Sequence, residues 1–538
     1  MHGLESLRRL GLSGWRRAER GFDTAFGSAL NPLRHLGAIG FLAFWLLAAS
    51  GVVLYIVLDT SVDGAYRSIA GLDAVPLAGG RLLRGMHRYA ADVLVIALGL
   101  HLLREWLHGH ERGFRRFSWL TGVPLIGFVF AAAIGGFWIN WDQLGQFSAI
   151  ATAEWIDALP MLAAPLARNF LGSATVSDRL FSLFVFVHIG VPLLLLFGLW
   201  FHVQRITRAA VAPPRALALG IVALLALLAL AVPVRSHPPA ALASVPELLR
   251  LDWIVLFVHP LTYATSPAFV WALAAVFGLT LFGLPFLPPL PGAARRAPAA
   301  LVDAANCNGC RRCLADCPYA AITMVPHPNG RSGRSLAVVD ADLCAGCGIC
   351  AGACPSSTPF RSMQQLVTGI DMPQLPVDGL RRRLRDALAG SSEPHPLVVF
   401  GCRHGVGARG GAGAGADAGA GAGSGAGAAA GVQAIELLCT GQLPPSFVEY
   451  ALRDGAAGVL VAACREGGCE YRVGERWTRE RLAGAREPHL RTASVPAERL
   501  ELVFAGPGDE ALLAQALQRL RQRVQALAEG HGAPSAHA

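Results

Sequence analysis

Four histidines and twelve cysteines carry the chemistry available to this chain. His87 and His101 are 14 residues apart, and so are His188 and His202. Fourteen residues of α-helix rise about 21 Å and return close to the same face, so two such helices would present two levels of paired imidazoles. A pair of axial imidazoles at each level is a ligand set for a haem, His87 with His188 and His101 with His202. One interior histidine is explained by a single core hydrogen bond. Two equal pairs inside apolar segments, where ionisable groups are costly, point to function. The cysteines form two runs of one pattern, Cys307-x2-Cys310-x2-Cys313-x3-Cys317-Pro318 and Cys344-x2-Cys347-x2-Cys350-x3-Cys354-Pro355. That spacing holds two [4Fe–4S] clusters, the fourth cysteine of each run crossing to the other cluster. One set is then Cys307, Cys310, Cys313 and Cys354, the other Cys344, Cys347, Cys350 and Cys317. Zinc favours separated cysteine pairs over runs of four ending in proline. Cys402, Cys439, Cys464 and Cys469 remain, the complement of one [2Fe–2S] cluster. Three of them end strand-like runs, at the carboxyl edge of an expected α/β sheet where ligands gather.

The elements that must position these residues fall into two halves. A chain of 538 residues, 53% apolar and 15% charged, with mean hydropathy +0.44, is too apolar to be wholly soluble. All twelve cysteines follow residue 295, and every long apolar run precedes it. Six runs, roughly 36–58, 85–106, 118–139, 179–203, 215–234 and 266–288, approach the roughly 20 residues that a hydrocarbon core requires, and the histidine pairs lie on the second and fourth. Gly37 and Gly51 on the first run and Gly122 and Gly136 on the third are also 14 apart. A missing side chain lets a flat macrocycle approach a helix, although glycine also serves helix packing in membranes. The net charge of +9 comes without any lysine. The arginines flank the apolar runs and form no continuous basic face, which excludes a nucleic-acid partner and indicates topology. Arg8, Arg9, Arg16, Arg17, Arg20 and Arg34, then Arg104, Arg112, Arg115 and Arg116, then Arg205, Arg208 and Arg215, then Arg295 and Arg296 all fall on one side. Loops with Asp63, Asp73, Asp142, Glu154, Asp157 and Glu247 face the other. Both termini and the cysteine half are expected in the cytoplasm of a multi-pass inner-membrane protein, where thiols stay reduced. From the charged first 35 residues, no cleavable signal peptide is expected.

The expected fold is multidomain: an α-helical membrane bundle over 1–295 with six transmembrane helices, an α+β two-cluster domain over 300–356, a connector over 357–395 with a helix near Leu380 to Leu388, and an α/β domain over 396–530. The last is interrupted by a Gly/Ala insertion, 409–431, expected to be disordered.

Three resemblances refine this reading. Arg84-Gly-Met-His87-Arg88, the run from Trp119-Leu-Thr-Gly122-Val to Trp141-Asp142-Gln143, and the Leu171-Gly-Ser stretch leading to Phe181 and His188 resemble cytochrome b of quinol-oxidising bc-type complexes, over about residues 30–210. The resemblance implies two haem b groups, Arg84 serving the outer haem's propionates, Arg104 near the inner haem, and a homodimer. Arg250-Leu-Asp252-Trp253-Ile-Val-Leu-Phe stands where that family has Pro-Glu-Trp-Tyr beside its outer quinol site. Asp252 is therefore the candidate quinol proton acceptor, against the plainer reading of a solvated loop carboxylate. His35 stands where plastid-type members carry a cysteine for an extra haem, and no Cys-x-x-Cys-His occurs, so no c-type haem is expected. The two cysteine runs are similar to bacterial two-cluster ferredoxins. Gly401-Cys402, Leu438-Cys439-Thr-Gly and Ala463-Cys464-Arg-Glu-Gly-Gly-Cys469-Glu-Tyr-Arg resemble the delta subunit of methyl-viologen-reducing hydrogenase, which implies a [2Fe–2S] carrier feeding a heterodisulfide-reductase-like flavoprotein. Where that family often has a further cysteine, this chain has Arg403-His404-Gly405.

The parts make a conductor from quinone or quinol through two haems and three clusters to a heterodisulfide-reductase-like or hydrogenase partner, with direction open. The alternative is a membrane anchor and relay without its own quinone site. A haem-based sensor would leave the clusters without a purpose. No Gly-x-Gly-x-x-Gly after a strand, no P-loop and no Rieske segment is evident.

Overall fold

The computed structural model describes residues 2–159, 176–243, 248–287, 297–328, 334–355, 366–406, 431–491, 493 and 495–531. The Leu171-Gly-Ser stretch, Glu247, Arg295, Arg296 and the Gly/Ala insertion up to residue 430 lie outside the described residues. The chain divides into two units, residues 1–205 with 209–292, and 206–208 with 293–538.

The first unit is helical. Its helices are α1 (His2–Phe26), α2 (Leu36–Val57), α3 (Val62–Gly71), α4 (Gly79–Leu107), α5 (Arg116–Asn140), α6 (Gln143–Asp157), α7 (Asp178–Val203), α8 (Arg215–Ala231), α9 (Val258–Ala264) and α10 (Pro267–Gly283). Among the described residues, four segments are long and apolar enough to cross a bilayer: Leu36–Val57, Gly113–Asn140, Asp178–Val203 and Pro267–Phe286. They correspond to the first, third, fourth and sixth apolar runs. The second run lies in α4, 29 residues long, whose Arg81, Arg84, Arg88, Asp92, Arg104 and Glu105 reduce its hydropathy. The fifth is α8, 17 residues. Large apolar side chains such as Ile56, Phe186, Leu193, Phe197, Leu219 and Leu279 point outward, as lipid-facing surfaces do. The protein is a multi-pass membrane protein.

Local chemistry places the helix starts and stops. Asp142 accepts the Gly145 N–H at 2.8 Å and starts α6, directly after Trp141 ends α5 with φ of 45°. Ser61 caps α3 through the Gly64 N–H, and Ser266 with Pro267 starts α10. Helix α2 packs along α4, and α5 along α7. Those two couples carry the histidines and the spaced glycines.

The second unit contains β1 (Leu301–Val302), α11 (Arg312–Asp316), β2 (Ile322–Pro326), β3 (Ser335–Val339), α12 (Ile349–Gly352), β4 (Ile370–Asp371), α13 (Val377–Ala389), β5 (Leu397–Cys402), β6 (Val432–Leu437), α14 (Ser446–Arg453), β7 (Gly458–Ala463), α15 (Gly474–Leu482), β8 (Leu500–Phe504) and α16 (Glu510–His531). Strands β2 and β3 form an antiparallel ladder with Ile322 opposite Val339, while β1 pairs antiparallel with β4. Thus residues 370–371, in the expected connector, add a strand to the small-sheet region, and Leu380 and Leu384 of α13 are fully buried in the common core. Strands β6-β5-β7-β8 form one parallel sheet. Its central strands read as unbroken apolar runs because both faces are covered: α13 and α14 share a core with Val398, Phe400, Val459 and Val461, and α16 packs on Leu397, Val399, Leu460 and Ala462.

Candidate functional site

The four histidines sit on α4 (His87, His101) and α7 (His188, His202), each opposite a glycine of the adjoining helix. A methyl group on Gly51 would lie 3.2 Å from His87 Cε1, and one on Gly37 3.6 Å from His101 Cε1. On the other couple, Gly136 meets His188 Cε1 at 3.0 Å and Gly122 meets His202 Cε1 at 3.0 Å. The room each glycine leaves is occupied by an imidazole edge, so the 14-residue glycine spacing and the 14-residue histidine spacing are one arrangement seen from both sides.

The rings are also oriented. His87 Nδ1 donates to Ser50 Oγ at 2.9 Å, and that hydroxyl passes its own proton to the Leu46 carbonyl at 2.6 Å. His202 Nδ1 lies 3.2 Å from Thr121 Oγ1, whose hydroxyl donates to Phe117 O. His188 Nδ1 donates to the Ala132 carbonyl at 2.9 Å. His101 Nδ1 is 4.0 Å from Glu105. An acceptor on Nδ1 selects the tautomer whose Nε2 lone pair is free for a metal. Ser50, Thr121 and the Ala132 carbonyl were not legible beforehand, because hydroxyls and carbonyls on helices follow no pattern of their own.

The His87 and His188 ring centres are 6.3 Å apart. A first-row metal–imidazole bond of about 2.0 Å, with about 1.1 Å from ring nitrogen to ring centre, doubled for two ligands, gives about 6.2 Å. The pair fits one iron between them. Arg84 is buried near the head of α4, donates to Ser236 at 2.8 Å, and leaves Nη1 buried without a partner. An unpaired buried guanidinium nitrogen suits an anionic propionate. Arg104 donates to Glu105 at 3.0 Å, and its Nε lies 3.8 Å from Glu19.

Asp252 is already engaged. It forms an ion pair with Arg88 and accepts the Ile254 and Val255 N–H groups at 3.0 and 2.9 Å. The Trp141–Gln143 corner is bound up in structure too, with Asp142 accepting the His237 N–H at 2.8 Å. His35 bonds to the Ala29 carbonyl at 3.0 Å. His259, which belongs to no motif, is fully buried and shares a hydrogen bond with Ser148 at 3.0 Å.

In the second unit the cysteine runs cross. One small cavity is lined by Cys307, Cys310, Cys313 and Cys354, and another by Cys317, Cys344, Cys347 and Cys350. Each takes three thiols from one run and the last from the other. Burial pushes the Cys313 thiol up to about 12 and raises Cys317, Cys347 and Cys350 as well. Such thiols stay protonated until a metal displaces the proton.

Cys402 ends β5, Cys439 follows β6 and Cys464 follows β7, so the three stand at the carboxyl edge of the parallel sheet, with Cys469 in the next turn. All four are buried. Hydrogen bonds from Cys439 and Cys464 push the Cys402 thiol down to about 4 and hold Cys469 well below the usual thiol range, while the two donors are pushed up. Cys402 and Cys469 thus each face both Cys439 and Cys464. Gly474, the first residue of α15, leaves space that Cys439 and Cys469 fill. Burial, with the Cys469 charge, pushes the neighbouring Glu475 carboxyl up to about 9. Among the described residues, no group of His, Cys, Asp or Glu closes to the spacing of a single metal ion.

Comparison with known proteins follows the same division. Residues 22–210 match the cytochrome b/b6/petB family, residues 306–358 the 4Fe-4S dicluster domain, and residues 412–528 the methyl-viologen-reducing hydrogenase delta subunit. The last match contains Cys439, Cys464 and Cys469 and begins after Cys402. Among solved structures, a chain titled "Hyperthermophilic respiratory Complex III" aligns at 18% identity and a TM-score of 0.41, over 48% of this chain and 75% of that one. The protein joins, in this order along one chain, a cytochrome b/b6 module, a 4Fe-4S dicluster domain and a methyl-viologen-reducing hydrogenase delta-type domain, and is a membrane electron-transfer subunit.

Proposed function

We propose that the chain conducts electrons between the membrane quinone pool and a cytoplasmic partner resembling heterodisulfide reductase or hydrogenase. His87 with His188 and His101 with His202 would each hold a haem b. The crossed cysteine sets would hold two [4Fe–4S] clusters, and Cys402, Cys439, Cys464 and Cys469 one [2Fe–2S] cluster. When bound, these groups supply one-electron exchange. The chain's own part is to present Nε2 by holding Nδ1, to keep the ring edges clear with Gly37, Gly51, Gly122 and Gly136, and to meet propionate charge with Arg84 and Arg104. Six spans, including α4 and α8, would place both termini and the cysteine half in the cytoplasm of an inner membrane, in a homodimer.

The observation that carries this reading is the 6.3 Å separation of His87 and His188, each ring with its glycine and its Nδ1 acceptor. A second reading, an anchor and relay with no quinone site, is favoured by the engagement of Asp252 with Arg88. Asp252 would accept a quinol proton only after that pair opens. The purified full chain, mixed anaerobically with a short-chain quinol and then with quinone, separates the two. Haem absorbance that follows both additions is expected. Haems that respond to dithionite but to neither quinol nor quinone would establish the relay, and a colourless chain would refute both.

A further inference from the structure

The two crossed thiol sets are not equivalent with respect to the Cys402, Cys439, Cys464 and Cys469 centre. Helix α12, which carries Ile349 and Cys350, lies directly against the turn Thr440–Gln442 that follows Cys439. A Cβ on Gly441 would sit 3.0 Å from Ile349 Cγ1, one on Gly348 2.9 Å from Gln442 Cγ, and one on Gly352 would collide with the Gly441 carbonyl. The sulfurs follow suit: Cys347 is within electrostatic reach of Cys469, and Tyr471 of both Cys347 and Cys439. On its other side, Cys350 is within reach of Cys313 of the twin set. Cys313, Cys350, Cys347 and Cys469 thus follow one another as neighbours.

One buried guanidinium ties the junction. Arg481, 1% exposed, donates to Asp316 Oδ2 at 2.5 Å, to the Gly441 carbonyl at 2.6 Å and to the Ile349 carbonyl at 3.4 Å. Asp316 precedes Cys317, Ile349 precedes Cys350, and Gly441 lies two residues past Cys439. Arg486 and the Trp477 indole N–H hold the same Asp316. The planar fork of arginine bonds several acceptors at fixed angles, which a lysine ammonium does not.

We propose that the site of Cys317, Cys344, Cys347 and Cys350, and not its twin, is the immediate electron neighbour of the four-thiol centre, and that Arg481 is the positioning residue that sets their separation. The proposal rests on the cluster assignments above. The step is a single electron moved between the two sites, one oxidised and the other reduced by one, with no bond made or broken. Its donor and acceptor are the quinol or quinone at one end and the soluble partner at the other. Tunnelling falls steeply with distance, so a shift of the α12 turn relative to the Cys439 turn slows the step.

The test uses the full chain, fully reduced, and measures electron spin relaxation of the [2Fe–2S] signal. Fast relaxation in the unmodified chain is expected to persist in Cys310→Ala, which removes the first set, and to be lost in Cys344→Ala, which removes the second. The opposite result overturns the order. Arg481→Lys, which keeps the charge without the fork, is expected to retain full iron content and cluster potentials while relaxation enhancement and the inter-cluster rate both fall. Unmodified relaxation and rate in Arg481→Lys would overturn the positioning role. A chain with no binuclear signal at all would instead overturn the cluster assignment beneath the proposal, a result distinct from a binuclear signal indifferent to Cys344.

Discussion

The two cysteine runs have the same spacing and different surroundings. Cys307 and Cys344 are both half-buried and Cys313 and Cys350 both buried, but the second cysteines differ, Cys310 being exposed and Cys347 buried. The glycine before the second cysteine has positive φ in both, Gly309 at +70° and Gly346 at +67°, and in both a side chain would collide with a neighbouring segment. The next position separates them. Arg311, exposed, takes φ of 63°, whereas Gly348 takes φ of 77° with Gln442 packed where its side chain would be. Spacing alone therefore places the sulfurs, and the domain that follows decides whether they meet water or protein.

The largest effect that tests this contrast is expected from Gly348→Arg, which makes the second run copy the first. The new side chain must displace Gln442, whose amide donates to Leu375 O at 2.8 Å and accepts from Leu438 N–H. Overpacking costs about 1–3 kcal/mol, and a side chain in the left-handed region adds about 1–2 kcal/mol. Iron per chain is expected to fall by about four atoms, the content of one [4Fe–4S] cluster. Full iron content would show that the second set does not depend on the domain packed against it.

A smaller effect is expected from chemical attack on the unmodified chain. Oxidation follows exposure, so mild ferricyanide treatment is expected to bleach the set containing Cys310 faster than the set containing Cys347. Cys310→Ala identifies which kinetic phase belongs to the first set. A single common rate would remove the burial contrast as a cause of reactivity.

The parts of this molecule that were legible in the sequence share one property: a repeat. Histidines and glycines 14 apart put four helices in register, and two identical cysteine runs announced their crossed sets. The apolar runs ending at Cys402 and Cys464 marked a sheet edge. What was hidden depends on partners far away in the chain. Arg481 finds Asp316 across 165 residues. Asp252, the candidate proton acceptor, finds Arg88 across the chain. Strand β4 has two residues, too few for an alternation to show, and α4 supports two of the four histidines while its charges lower its hydropathy below that of the neighbouring spans. Periodicity reports what one element presents; it is silent on which distant side chain answers.

The smallest expected effect is a gain. Arg311 holds the left-handed conformation with its side chain exposed, so its replacement removes backbone strain without opening a cavity. Arg311→Gly is expected to raise stability by about 1 kcal/mol, the usual penalty of a left-handed non-glycine residue, reduced by the greater freedom of glycine in the unfolded chain. Chemical denaturation followed through cluster absorbance measures it. Because Arg311 borders the cavity of the first set, the bleaching rate of that set provides a second reading. A faster rate alongside higher stability is expected if the arginine shields Cys310. An unchanged rate would show that exposure at this run is set by the fold of the loop and not by the side chain standing over it.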